Sequence, residues 1–356
     1  MLAPMRWLRR VAKTLGYLIG ALLLLLGIWA LVPAGTARIE GEHAIAALER
    51  VTLGGAEQTI LLRGQDRRNP VLLFVHGGPG FGQLPLARTY SDQLEAHFVV
   101  VHWDQRGAGA SCAGTDFAAL TQEQIVADTL ELSAALAARF GGGGKVFLLG
   151  HSWGSVIGAL AAQQRPELFH AYVGLGQLVN GPRNEELSYR FVREEAERRG
   201  DAEALAELSR IRPPYPTFEE LGVQRRWLNA YRGSIYDMER ARRALPAALF
   251  GREYTLATRL RFFPCFGRSL EPLWGSLDGF DAVTQIPRLD VPVFFFTGRH
   301  DWNTPFPLVE EWALLLEAPQ VEIVWFESAG HFASVEAPEE FQRRLIEKLT
   351  PLAPAR

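Results

Sequence analysis

At 356 residues, with 48% apolar and 22% charged side chains, the chain has the make-up of a folded protein. It is long enough for one large mixed domain with an insertion, or for two domains. A net charge of −3, with arginines scattered among acids, leaves no basic face for nucleic acid, and two cysteines exclude a disulfide framework and a metal cluster.

The N-terminus departs from this ordinary composition. Leu15 to Val32 is an unbroken run of 18 apolar or small residues. As a helix it spans roughly 27 Å, close to a hydrocarbon core. Arg6, Arg9, Arg10 and Lys13 precede it, and the first acid is Glu40. The excess of positive charge predicts a single-pass anchor with a cytoplasmic N-terminus and the body on the extracytoplasmic side. A cleavable signal ending near Val32-Pro33-Ala34, giving a secreted body, is the alternative, although its apolar core is normally about 7–15 residues. The flanking charges argue against a buried core helix.

The body begins with strands at Ala46–Leu53 and Gln58–Arg63, around a Gly54-Gly55 turn. Val71–Val75 and Phe98–Trp103 are continuous apolar runs, as expected of strands buried on both faces. A helix capped by Thr121 extends to Phe140 and is stopped by Gly141–Gly144. An apolar strand from Lys145 follows, then a small-residue helix over Val156–Gln164, and a further strand, His170–Leu175. From about Gly181 to Ala282 the pattern turns charged, aromatic and helix-periodic, which predicts a helical insertion. Strand Val291–Gly298, helix Pro307–Leu316, strand Val321–Phe326 and helix Pro338–Leu349 close the chain. Such alternation implies a mostly parallel sheet with helices on both faces.

The chemistry gathers around Gly150-His151-Ser152-Trp153-Gly154. Gly-x-Ser-x-Gly between a strand and a helix is the nucleophile elbow of the α/β-hydrolase fold. The glycines let the backbone turn sharply where a side chain would strike the neighbouring strand or helix. The following helix points its positive end at the site of a developing oxyanion. This fold takes its acid and its histidine later in the chain, each after a strand. Asp301 follows the strand ending at Gly298, and His331 follows the last strand. His331 is thus the candidate general base, and Asp301 the residue that orients it. Taken singly, a loop Asp or His is most often merely solvated; three residues in this order, each after a strand, form a site.

The backbone N–H groups of Gly78, or else Gly77, and of Trp153 are the candidate oxyanion hole. His300 sits before the last strand and His151 beside the nucleophile, so neither is expected to be the base. His76 is expected to brace the oxyanion loop. Asp104 and Arg106 are expected to brace their loop as a pair.

His76-Gly77-Gly78-Pro79-Gly80, Asp104-Gln105-Arg106-Gly107-Ala108-Gly109-Ala110-Ser111 and Gly150–Ser155 together resemble the proline iminopeptidase (prolyl aminopeptidase) family of α/β-hydrolase serine peptidases. The likeness covers Val71 to Gln177 and the segments around Asp301 and His331. It implies release of an N-terminal residue, usually proline, from short peptides, without a metal or other cofactor. It also implies cap glutamates that hold the substrate ammonium. Glu185, Glu186, Glu194, Glu195 and Glu239 lie in the right region, but none is matched to the family's positions and each reads first as part of a solvated helix face.

These readings divide the chain into an anchor (1–35), a first core segment (36–180), a helical cap (181–284) and a second core segment (285–356). Cys112 and Cys265 read as separate buried thiols, with a cap-to-core disulfide as the alternative in an exported body. The expected activity is that of a serine aminopeptidase acting through an acyl-enzyme on Ser152. An esterase or amidase acting on non-peptide small molecules is the alternative, and a non-catalytic binding protein on this scaffold is disfavoured by the intact triad.

Overall fold

The computed structural model describes residues 3–140 and 143–354. The N-terminal pair, the side chains of Arg6, Arg9 and Arg10, and the first half of the tetraglycine stop lie outside the described residues. The body is built on an eight-stranded sheet in the order β1-β2-β4-β3-β5-β6-β7-β8. Its first strands, β1 (Ile45–Leu53) and β2 (Ala56–Gly64), form a hairpin whose turn residues Gly54 and Gly55 both have positive φ. β2 runs antiparallel to β4, and every later pairing is parallel.

The parallel strands coincide with the apolar runs. β3 (Val71–Val75), β4 (Val99–Asp104), β5 (Val146–His151) and β7 (Val293–Gly298) are buried along their whole length. β6 (Phe169–Leu175) is buried except at His170, and β8 (Val321–Phe326) closes the edge. A continuous apolar run suits strands covered on both faces. One face is covered by α2 (Gln122–Arg139), α3 (Trp153–Gln164) and α11 (Phe306–Leu315). The other is covered by α12 (Ala333–Glu336) and α13 (Pro338–Leu349), through Phe341, Leu345 and Leu349. Thr121 caps α2 as its sequence suggests, its hydroxyl accepting from the Gln124 N–H at 3.2 Å.

Between β6 and β7 the chain is helical: α4 (Gly181–Arg199), α5 (Ala202–Leu208), α6 (Phe218–Ala230), α7 (Met238–Arg242), α8 (Leu245–Phe250), α9 (Leu256–Trp274) and α10 (Ala282–Gln285). This segment leaves and returns at one place, where Asn180 and Asp281 form a β-bridge. It has its own small core around Val192, Leu208 and Leu228.

The two-thiol expectation is corrected here: Cys112 and Cys265 are joined, with Cα atoms 6.1 Å apart. Each thiol alone reads as a small buried apolar group; only the docking of α9 against the loop after β4 brings them together. The bond closes a stretch of 153 residues, so reduction should lower the unfolding free energy by about 2–5 kcal/mol. Denaturant titration with and without a phosphine reductant measures this, and an unchanged midpoint would contradict it.

The N-terminal helix, α1 (Ala3–Ala30), stands apart from the cores. Its span Val11–Ala30 is long and apolar enough to cross a membrane, and none of its described residues is buried in the protein. That is the opposite of a core helix.

Candidate active site

β5 ends at His151 and α3 begins at Trp153, leaving Ser152 on the turn between them with φ 55° and ψ −125°. Positive φ in a residue with a side chain costs about 1–3 kcal/mol and persists only where the surroundings enforce it. Here they do. A Cβ on Gly150 would overlap the Gly154 carbonyl, and one on Gly154 would overlap the carbonyls of Val75 and His76. The elbow is therefore threaded between β3 and α3 with no spare room. The Ser152 N–H donates to Leu175 O at 2.9 Å, tying the turn to β6. α3 starts three residues earlier than its sequence pattern suggests, directly after Ser152.

Asp301 lies after β7 and His331 after β8, both fully buried, with Asp301 Oδ2 2.9 Å from His331 Nδ1. The carboxylate is saturated. Its Oδ1 accepts from the N–H groups of Asn303 and Thr304 at 2.9 Å each, and its Oδ2 also accepts from the Thr304 hydroxyl at 2.9 Å. The Thr304 proton is thus committed to Asp301, so the 3.1 Å contact between Thr304 Oγ1 and His331 Nδ1 has the imidazole N–H as donor. Thr304 carries no signal in the sequence, yet it fixes the same tautomer as Asp301. It also lines a cavity with Ser152, Trp153 and Gly78, which sets the Asp301–His331 pair next to that cavity through Thr304.

The neighbouring histidines hold structural positions. His151 lies tilted beside His331 with ring centroids 4.9 Å apart, and its Nε2 meets His331 O at 3.1 Å. Burial, and then the positive charge His331 can carry, push its pKa down to about 3, so it stays neutral. His76 accepts from the Gln105 N–H at 3.1 Å and joins the two loops flanking the elbow. Burial lowers it to about 4. His300 stacks on Tyr236 with centroids 3.6 Å apart.

Asp104 and Arg106 are not a pair, which corrects the expectation from their spacing. Arg106 binds Asp128 on α2 at 3.0 Å. Asp104 accepts from Ala110 N–H at 2.8 Å and from the Tyr254 hydroxyl of the inserted segment at 2.8 and 2.9 Å. Sequence spacing could not find Tyr254, which lies 150 residues away. Burial pushes the Asp104 carboxyl up to about 7, against the pull of its hydrogen bonds. An acid whose pKa is raised by folding contributes stability that is complete below its unfolded value of about 4 and is lost as pH rises through about 7. Between pH 4 and 7, Asp104→Asn should therefore gain a few kcal/mol relative to the native chain. Denaturant titrations of both proteins across that window measure the difference; a constant difference would contradict it.

Glu336 is a second residue the sequence did not mark. Its carboxylate accepts from Gly330 and Phe332, either side of His331, and from Tyr236 and Asp237 of the inserted segment. It fixes the His331 loop to the helices above it.

The cavity beside Ser152 has a volume of about 290 Å³. Its walls are mostly apolar, with Phe218, Leu221, Phe266 and Trp274 from the inserted helices. Two polar residues of α4 interrupt them. Asn184 is 2% exposed and its Oδ1 has no hydrogen-bond partner among the described residues, although its Nδ2 donates to Asn303 O at 2.9 Å. Glu185 pairs through Oε1 with Arg225 at 2.6 Å, while its Oε2 is buried and has no partner among the described residues. Of the five glutamates singled out in the sequence, Glu186, Glu194 and Glu239 are exposed, and Glu195 pairs with Arg198 and Arg199. Glu185 alone among them lines the cavity with Ser152.

Comparison with known proteins agrees with this architecture. The sequence profile of the alpha/beta hydrolase family matches residues 72–344. A probable aminopeptidase of Bacillus subtilis (strain 168), YbaC, is 34% identical over 311 residues, covering 86% of this chain and 97% of the relative. A proline iminopeptidase of Heyndrickxia coagulans is 23% identical over 291 residues, covering 76% of this chain and 87% of its own length. Among solved structures, the proline iminopeptidase-related protein of Thermus thermophilus superposes with a TM-score of 0.62 at 25% identity. That match covers 88% of this chain and 100% of the other. The proline iminopeptidase of Mycobacterium smegmatis shares the fold with a TM-score of 0.64 at 19% identity, over 86% and 98% of the two chains. The chain is a hydrolase, and it belongs to the alpha/beta hydrolase family.

Proposed function

We propose that the protein is a serine aminopeptidase that removes the N-terminal residue, proline or another of apolar type, from short peptides. The observation that carries this is the pair of buried acceptors without a partner among the described residues, Glu185 Oε2 and Asn184 Oδ1, on two residues that line the cavity with Ser152. A buried carboxylate oxygen without a donor is costly unless a ligand supplies one. The ammonium of a peptide N-terminus supplies both charge and protons. The Arg225 pairing supports the same role, since it holds the carboxylate in position and leaves one oxygen free.

In this reading Ser152 Oγ attacks the carbonyl of the first residue while His331 Nε2, the nitrogen turned away from Asp301, takes its proton. The N–H groups of Gly78 and Trp153 receive the oxyanion, and the first turn of α3 offers donors without helical partners. His331 then protonates the departing amine, and water releases the residue from the acyl-enzyme. Residues 181–284 serve as a cap, and a cavity at the small end of the range for ligand pockets suits short substrates. α1 anchors the chain, with the basic N-terminus cytoplasmic and the body outside. The Cys112–Cys265 disulfide supports that placement, because such bonds persist in oxidising compartments.

The test compares proline β-naphthylamide, its N-acetylated form and p-nitrophenyl acetate. The reading expects turnover of the free amine and very little of the acetylated amide. Preference for the acetylated amide or the ester would move the protein to the esterase or amidase alternative.

A further inference from the structure

α9 is two-sided. Phe266, Leu270 and Trp274 line the cavity beside Ser152, and the Cys112 disulfide and the Ser269 hydrogen bond to Gly107 O hold this helix to the core. Its other side is bare. Leu260 and Phe263 stand in the open, as do Leu245, Leu249 and Phe250 on α8, each more than half exposed. Such a cluster on an otherwise polar surface marks an interaction face.

Two observations indicate what covers it. The first is its place beside α1. The Trp29 ring lies 6.4 Å from Phe250, the Arg259 guanidinium lies 5.9 Å from the Trp29 ring, and Gly35 N–H donates to Arg252 O at 2.9 Å. Only residues 31–34 separate the end of α1 from that hydrogen bond. A chain this short reaches at most about 17 Å, so the patch is tethered close to the end of the apolar span. The second is charge. From α7 to the end of α9 the exposed ionic side chains are Arg240, Arg242, Arg243, Arg252, Arg261 and Arg268 against Glu239 and Glu271, Glu253 being buried, and Arg240 and Arg243 lie 3.5 and 3.9 Å from Asp237 and Glu239. Apolar side chains fringed by arginine suit the headgroup and upper acyl region of an anionic bilayer, where the guanidinium reaches phosphate while the apolar groups sink below it. The same arginines would face one another across an interface between two copies.

We propose that the outer face of α8 and α9 rests on an anionic bilayer beside the α1 span, placing one wall of the catalytic cavity at the membrane surface. The inference goes beyond the peptidase reading and shares with it only the anchor. Carbonate-washed fractionation of the full chain tests the anchor separately.

Among the described residues no cysteine is free, so Leu249→Cys or Phe263→Cys in the full chain accepts one environment-sensitive fluorophore. Leu314→Cys on α11, an exposed apolar site outside the patch, is the reference. The proteins are reconstituted into phosphatidylcholine vesicles with or without phosphatidylglycerol, and turnover of a soluble chromogenic substrate confirms that each is folded. The expected result is blue-shifted emission at 249 and 263, quenched by nitroxide-bearing lipid and more strongly with phosphatidylglycerol, with neither effect at 314. The combined variant Arg240→Glu, Arg243→Glu and Arg261→Glu should lose the dependence on phosphatidylglycerol. Labels at 249 and 263 that behave like 314 would overturn the proposal, whether or not the chain stays in the membrane. A blue shift that lipid nitroxide does not quench and dilution abolishes would overturn it in favour of a second copy.

Discussion

Ser152→Ala should lower kcat for any substrate of this enzyme by about 10⁴-fold or more, because it removes the oxygen through which an acyl-enzyme forms. Asp301→Asn should fall by about 10⁴-fold too, although it keeps nearly the same shape. Asp301 accepts four hydrogen bonds, from two backbone N–H groups, the Thr304 hydroxyl and His331. An amide turned to keep its oxygen on the backbone donors would offer its NH₂ to His331 Nδ1 and force the wrong tautomer. The two losses should not multiply in the double variant, since the residues act on one proton transfer. Steady-state kinetics on the three proteins test this. A Ser152→Ala enzyme within tenfold of the native rate would remove Ser152 from the chemistry.

The second large effect concerns Glu185. Glu185→Gln keeps the size of the side chain and removes the charge, so a bound ammonium would face an amide while Arg225 loses its partner. Loss of a buried, hydrogen-bonded charge partner is worth about 3–4 kcal/mol, or roughly 10²–10³-fold in kcat/KM. The loss should be confined to substrates with a free N-terminal amine. An N-acetylated amide carries no charge for Glu185 to meet, so its slow turnover should be unchanged or slightly improved. Asn184→Ala should give a smaller loss with the same selectivity, since it removes a neutral acceptor. Equal losses on both substrates would mean that Glu185 supports the fold of α4 instead of binding the amine.

The parts legible in the sequence were those fixed by local chemistry. Val71–Val75, Val321–Phe326 and Pro338–Leu349 have the bounds that their apolar pattern and proline punctuation indicate. The elbow was legible because two glycines are demanded there by carbonyls of α3 and β3, and the Asp301 and His331 loops because each follows an apolar strand of the sheet. What escaped depends on long-range packing. Thr304 is an ordinary loop hydroxyl until β7 and β8 lie side by side. Glu336 reads as a polar residue before a proline-led helix, and only the fold turns it onto the His331 loop. Glu185 and Glu186 are adjacent and chemically identical; the rotation of α4 alone sends one into the cavity and the other to solvent. Arg106 was misassigned for a related reason. Its partner Asp128 lies on α2, whereas Asp104 turns to Tyr254.

The central claim, that an N-terminal amino acid is carried on Ser152, can be met directly by acid-quenching the enzyme during turnover of proline p-nitroanilide and mapping its peptides by mass spectrometry. The account predicts that the peptide containing Ser152 gains the mass of one prolyl group, and that the adduct disappears in Ser152→Ala. Product formation with Ser152 unmodified, or with the prolyl group on another residue, would contradict it.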